Sequence, residues 1–384
     1  MSDHLDSIRE GVRAVVRRFD DDYWLARDED GVFPHEFHRA MAEAGWLGIT
    51  MPEEYGGAGL GVTEAAVMIH EVAGHGGAMA AASSIHINLF GPQPMVVHGT
   101  PEQKSRWVPR LIAGEDKVAF GVTEPDAGLN TTHIKTFAQK VDGGYRVNGQ
   151  KVWTSTAQVA SKLLLLARTT KIEDCARPTD GITLFFTDLD RRRIDVQRIP
   201  KMGRKAVDSN ALFIDDLFIP DQDRIGEEGR GFHYLLDGLN PERILIASEA
   251  VAIGRDALRR ATAYAKEREV FDRPIGQNQG IAHPLAERWM YLESAWLMAM
   301  KAAELYDAGK PCGAEANSAK FLGARAGQEA CWQAIATHGG MGYAKEYHVE
   351  RLYREVAITR IAPITEQMIL NFIAEKVLEL PRSY

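Results

Sequence analysis

Four short segments collect residue types that could hold a ring system and its charges. Ala119-Phe120-Gly121-Val122-Thr123-Glu124-Pro125-Asp126-Ala127-Gly128 is an apolar run that ends in Thr and turns at Pro and Gly. Backbone N–H groups in such a turn, joined by the Thr123 hydroxyl, suit a polar ring edge or a phosphate. Lys151-Val152-Trp153-Thr154-Ser155 sets an indole, able to stack on an aromatic ring, beside two hydroxyls able to bond that ring's edge. Arg268-Glu269-Val270-Phe271 stands at a helix end before a Pro-Ile-Gly turn. In Thr337-His338-Gly339-Gly340-Met341-Gly342-Tyr343 the glycines let backbone approach a ligand closely. Each segment taken singly also fits an ordinary role: Trp153 as core, Arg268 as a solvated helix end, the glycines as a loop.

The elements that must position these segments change texture twice. From Leu5 to about Ala113 the spacing is helical, as in Pro34 to Ala44 and Thr63 to Val72, with a Gly-rich break at Tyr55-Gly56-Gly57-Ala58-Gly59. From about Lys117 to Pro220 the pattern is β. Lys162 to Arg168 reads as a buried strand, and Gly181 to Thr187, Ile194 to Ile199 and Ala211 to Ile219 continue the series. Asp142-Gly143-Gly144-Tyr145 and Val147-Asn148-Gly149-Gln150 read as hairpin turns, and the spacing predicts an antiparallel barrel or sandwich. From about Gly231 the segments are long and helical: Ile244 to Arg268, Ala282 to Ala308 and Ala314 to Thr337. The chain of 384 residues therefore divides into three blocks, 1–115, 116–225 and 226–384.

Composition narrows the function classes. Apolar residues at 45% and charged residues at 26% describe a globular protein, and a net charge of −8 argues against nucleic acid or an anionic membrane as partner. Three scattered cysteines (Cys175, Cys312, Cys331) form neither a disulfide framework nor a metal spacing, which suggests a reducing, cytoplasmic compartment. The N-terminal stretch has no secretory h-region, and no apolar run approaches the roughly 20 residues of a membrane helix. There is no GxGxxG after a strand, no Walker A loop and no GxSxG elbow. His75 lies one residue too far beyond His70-Glu71 for a zinc-protease helix, so no metal is expected.

Together, in this order and spacing, the four segments closely resemble the acyl-CoA dehydrogenase family, from about Phe33 to Pro381. The resemblance implies an α+β fold: an N-terminal helical domain, a middle antiparallel β domain and a C-terminal four-helix bundle. It implies FAD bound without a Rossmann fold, a homotetramer built as a dimer of dimers, and an electron-transfer flavoprotein as electron acceptor. Carried over by position, Phe120, Val122 and Thr123 line the flavin, with Trp153 and Ser155 beside it. Arg268 and Phe271 reach the FAD of a neighbouring subunit, with Gln279 near the cofactor and Gly339 and Gly340 passing close to it. Thr365 and Gln367 match the pair near the adenosine end. Leu129, Asn240 and Arg243 fall at the substrate. Leu129 stands where the family usually has Ser, and Ala336 where a Gln is frequent, so the resemblance does not carry those side-chain contacts over, only backbone ones.

The implied reaction takes two hydrogens from the α and β carbons of an acyl-CoA thioester, and it needs a carboxylate base. Where many members carry that Glu near the C-terminus, this chain has Ala362-Pro363-Ile364-Thr365, and Pro363 cannot serve. Relatives similar to isovaleryl-CoA and long-chain dehydrogenases carry the Glu on a bundle helix. Asn240-Pro241-Glu242-Arg243-Ile244-Leu245 matches that place, which assigns the base to Glu242. Asn240 reads as an N-cap with Pro241 at the first helical position, putting Glu242 in the first turn, where the helix dipole favours a carboxylate. Glu366 is the rival acid. A flavin oxidase or monooxygenase on the same fold, or a non-catalytic partner subunit of a mixed tetramer, is the competing reading.

Overall fold

A computed structural model describes residues 2–382. Seven helices come first: α1 (Ser2–Val16), α2 (Asp21–Asp30), α3 (His35–Glu43), α4 (Val62–Ala73), α5 (Ala78–Phe90), α6 (Gln93–His98) and α7 (Pro101–Ile112). Eight strands follow: β1 (Val118–Gly121), β2 (Phe137–Val141), β3 (Gly144–Ser155), β4 (Lys162–Arg168), β5 (Ile182–Asp188), β6 (Ile194–Arg198), β7 (Ser209–Pro220) and β8 (Arg224–Ile225). The last block holds α8 (Gly231–Asp237), α9 (Leu239–Glu267), the short hairpin β9 (Glu269–Val270) and β10 (Arg273–Pro274), α10 (Gln279–Asp307), α11 (Gly313–His338), α12 (Val349–Val356) and α13 (Glu366–Lys376).

The strands make one sheet in the order β6-β7-β3-β2-β4-β5-β8, with β1 alongside β4. It is antiparallel apart from β1 and β2, which each run parallel to β4. β4 shows why a continuous apolar run was needed there, because every residue is buried and the two faces serve different cores. Leu164 and Leu166 pack with Trp107, Leu111 and Leu235 from the helices that cover the sheet. Leu163, Leu165 and Ala167 pack with Tyr145, Val147 and Leu212 on the other side.

Asp142-Gly143 forms the expected tight link between β2 and β3, with Gly143 at φ 74°. The second expected turn is not one. Val147-Asn148-Gly149-Gln150 lies inside β3, where the pairing with β7 slips between Val147 and Gly149. Gly149 is needed because a Cβ there would come within 2.4 Å of Thr136 Oγ1. An isolated Asn-Gly in a strand can thus mark a bulge as well as a hairpin.

The first and last blocks are one packing unit. A single core joins Val12, Met68, Ile69 and Ile85 to Ile244, Val251, Ile253, Ala295 and Ala330. The bundle consists of three long helices, α9, α10 and α11, completed by the short α12 and α13 against α11. The deepest helix is α5, buried along its whole length. Small residues on α5 and α9 allow this close approach, and the helix brings four polar side chains into the interior: Ser83, Ser84, His86 and Asn88.

Candidate active site

β1 and β3 set the first half of the site. Phe120 lies in β1, one residue before its end at Gly121, and Val122 and Thr123 follow toward the Pro125 turn. The Val152 N–H donates to the Thr123 carbonyl at 2.9 Å, so the two segments run together. Between Lys151 and Thr154 the pairing with β7 slips again, and Trp153 sits in the gap at φ 60° with 57% of its surface exposed. A bulky side chain in the left-handed region costs on the order of 1–3 kcal/mol. Here that conformation presents the indole to solvent beside Thr123. Ser155 Oγ accepts from Arg204 Nη2 at 3.1 Å.

A buried ion pair ties the two segments together. Lys151, fully buried, donates to Glu124 Oε1 at 2.8 Å and to the Val122 carbonyl at 3.1 Å. Glu124 also accepts the Lys135 N–H at 2.6 Å and the Thr136 N–H at 3.0 Å. Burial lowers the Lys151 ammonium to about 8, against the pull of Glu124. Burial would raise Glu124, but Lys151 and the backbone donors win and hold it below the ordinary carboxylate value. The clamp's members lie inside the two segments singled out from sequence, yet sequence reading passed over both.

The second half of the site is the start of α9. The helix begins two residues earlier than expected, at Leu239, after Gly238. Asn240 is therefore inside the helix, and its Oδ1 accepts from Arg243 Nη1 at 2.9 Å instead of capping backbone N–H groups. The run from α8 through Gly238 is nearly continuous helix, which leaves no extended residue to act as cap. Glu242 remains in the first turn, partly buried, with a carboxyl that accepts no hydrogen bond among the described residues. Burial raises it to about 7; His86 and Arg243 oppose that rise and Glu249 adds to it. Glu366 is in the opposite condition. Burial would raise it, but Arg360 at 2.7 Å and Arg325 at 3.0 Å hold it down at about 2. An acid so paired is a poor proton acceptor at neutral pH.

The remaining expected residues separate by position. Arg268 lies 26 residues beyond Glu242, about 40 Å along the helix axis at 1.5 Å per residue. Phe271 and Asp272, at φ 55° and 61°, form the tip of the β9–β10 hairpin, and Phe271 is 93% exposed. Gln279 is exposed at the start of α10. Gly339 and Gly340 are exposed at the end of α11, where Tyr264 of α9 stacks on His338 at 4.3 Å. Gly339 takes φ 61°, ψ −133°, and a Cβ at Gly339 or Gly340 would meet nothing within 4 Å. These five residues thus collect at the far end of the bundle, away from Glu242. Thr365 caps α13 by accepting the Met368 N–H at 3.4 Å, with exposed Gln367 beside it. Lys320 Nζ donates to the Ile364 carbonyl just before them at 2.7 Å. Leu129 is 58% exposed in the loop after β1.

The surfaces fit FAD. The strained, outward Trp153 beside Thr123 offers a ring-stacking face, and the exposed Gly339 and Gly340 at the bundle end leave room for a ligand to approach the backbone. Among the described residues no cluster of three or more His, Cys, Asp or Glu could hold a metal ion. None of the described helices is long and apolar enough to cross a membrane.

Comparison with known proteins covers nearly the whole chain. Residues 2–115, 119–217 and 229–378 match the N-terminal, middle and C-terminal domain models of acyl-CoA dehydrogenase. The chain is 36% identical over 395 residues to acyl-CoA dehydrogenase FadE12 of Mycobacterium tuberculosis, covering 100% of this chain and 98% of that one. It is 33% identical over 342 residues to the caffeyl-CoA reductase–Etf complex subunit CarC of Acetobacterium woodii, covering 89% of each. The butyryl-CoA dehydrogenase structure from Megasphaera elsdenii superposes with a TM-score of 0.93 at 27% identity, over 98% of this chain and 99% of that one.

Proposed function

From the premise that the chain belongs to the acyl-CoA dehydrogenase family, we propose a division of labour among its residues in the FAD-dependent α,β-dehydrogenation of an acyl-CoA thioester. The activity yields the trans-2-enoyl-CoA. FAD supplies the two-electron acceptor for the hydrogen that leaves the β carbon. Glu242 takes the α-proton onto its free carboxylate. The observation that carries this role is a half-buried carboxyl in the first turn of α9 that accepts no hydrogen bond among the described residues; burial raises its proton affinity toward neutral, where a base works best. The same feature disfavours a silent subunit, which has no use for a half-buried carboxyl without a partner.

Phe120, Val122, Thr123, Trp153 and Ser155 hold the ring end of the cofactor, and the Lys151–Glu124 clamp fixes the spacing of their two segments. Asn240 and Arg243 border the substrate at the start of α9, and Leu129 lies at the rim. Thr365 and Gln367 serve the adenosine end. Arg268, Phe271, Gln279, Gly339 and Gly340 serve the cofactor of a second copy. Their distance from Glu242 and the exposure of Phe271 support a dimer of dimers. The three blocks 1–115, 116–225 and 226–384 are the domains of this assembly.

An electron-transfer flavoprotein takes the electrons; the similarity to a subunit named for its complex with one supports this. The three free cysteines agree with work in the cytoplasm. Fatty or branched-chain acyl-CoA breakdown is the setting. The test is an anaerobic titration of the yellow protein with straight and branched acyl-CoAs. Bleaching of the flavin bands by one class supports the reading and identifies the substrate; no bleaching by any acyl-CoA overturns it.

A further inference from the structure

Because α5 is buried throughout, its polar groups must be met inside the protein. Ser84 bonds back to the Ala81 carbonyl at 2.7 Å, and Asn88 bridges the Asp116 carbonyl and the Val118 N–H at 3.3 Å each. His86 is met by Glu249 of α9, with Nδ1 and Oε1 2.5 Å apart and the residues 6% and 0% exposed. The pair is only half used: His86 Nε2 and Glu249 Oε2 are buried without a partner. Each such orphan costs about 1–3 kcal/mol.

The pair's place explains what else it does. Glu249 follows Glu242 by seven residues, two turns along the same face of α9 and about 10 Å away. On its other side the His86 ring packs edge-on against Phe90 at 4.8 Å, and Phe90 meets Phe120 at 5.4 Å. The pair therefore acts by charge on the residue assigned as base and is joined through Phe90 to a residue assigned to the flavin.

We infer that the His86–Glu249 pair is a positioning element that sets the charge of Glu242, the imidazolium cancelling the field of a second carboxylate in the same buried space. The inference rests on the reading of Glu242 as base. Burial pushes His86 down, but Glu249 and Glu242 outweigh it, against Arg204, and the net is upward. Glu242 faces His86 of α5 and Arg243 and Glu249 of its own helix. Arg243 in turn faces Cys312. Arg204, from the loop before β7, faces Glu249, Glu355 and Asp208. Arg204 is tied by its guanidinium to Ser83, Ser155 and Ser209; of the two cations that face Glu249, His86 is the one that bonds the carboxylate directly and also faces Glu242.

The test reads the protonation of Glu242 in two ways. One is the pH profile of single-turnover flavin reduction by acyl-CoA. The other is the infrared band of the protonated Glu242 carboxyl in the FAD-loaded protein without substrate, assigned by its loss in Glu242→Gln. His86→Asn removes the positive partner that bonds Glu249 and faces Glu242, so both midpoints are expected to move up by about one pH unit, roughly a tenfold loss of rate below the midpoint that alkaline pH restores. His86→Asn combined with Glu249→Gln removes both charges, and the midpoints are expected to return toward wild type. His86→Gln carries the same test if His86→Asn does not fold. Unmoved midpoints in the single variant, or a shift that the double variant does not reverse, would overturn the inference. A band that shifts as expected while Glu242→Gln turns over normally would instead remove Glu242 as base and leave the charge coupling standing.

Discussion

Two buried ionic groups border the proposed site, one on the segments after β1 and in β3 and one on α5 and α9, and they are finished differently. In the Lys151–Glu124 clamp both carboxylate oxygens are used: Oε1 meets Lys151 and Thr136, and Oε2 meets Lys135. In the cluster around Glu242, the carboxyl proposed as base accepts no bond among the described residues, and Glu249 Oε2 and His86 Nε2 have no partner among them either. A satisfied network fixes geometry, because moving any member breaks several bonds. An unsatisfied one keeps proton affinity available for chemistry, at a cost in stability.

The comparison can be broken at either end. The largest effect is expected from Glu242→Gln, which should lower steady-state dehydrogenation by about 10²–10⁴-fold, the usual contribution of a positioned base, while FAD content stays normal. Next is the clamp. Lys151→Met leaves Glu124 buried and uncompensated, a loss of about 3–5 kcal/mol, and should be seen as a lower Tm together with FAD loss on gel filtration. Normal FAD retention in that variant would show that the clamp does not position the flavin segments. Trp153→Ala should weaken FAD binding by roughly three- to tenfold, equivalent to about 0.5–1.5 kcal/mol of lost stacking, read by fluorescence titration of the apoprotein.

The smallest effect concerns stability and has a definite sign. Glu242 has a folded proton affinity of about 7, above the unfolded carboxylate value of 4.5. Between those values the folded state binds more protons than the unfolded one, so the contribution of Glu242 to stability is full below 4.5 and is lost as pH rises through 7. Glu242→Gln should therefore raise Tm by about 2–4 °C at pH 8 and leave it unchanged near pH 4. An equal change at both pH values would mean that Glu242 carries no strained charge.

Much of the architecture was legible because pattern and structure share a cause. The strand Lys162 to Arg168 has the predicted limits, since a run buried on both faces has no polar interruption to blur them. The three long helices begin and end within five residues of the expected positions. Asn240 misled because N-capping depends on the backbone before it, and the preceding α8 already runs into α9. The Asn148-Gly149 pair misled because a bulge and a turn need the same backbone freedom. His86, Glu249 and Arg204 could not be paired from sequence, being separated by 163 and 45 positions. Their trace was a run of polar residues, Ser83-Ser84-Ile85-His86-Ile87-Asn88, inside an otherwise apolar helix.

Whether Glu242 or Glu366 takes the α-proton is tested most directly by rapid mixing of each FAD-loaded variant with the best acyl-CoA under anaerobic conditions at neutral pH. The account predicts that Glu242→Gln binds the substrate without bleaching the flavin on the wild-type timescale, and that Glu366→Gln, which loses only an acid already held by Arg325 and Arg360, still bleaches it. Flavin reduction by Glu242→Gln at close to the wild-type rate would contradict it.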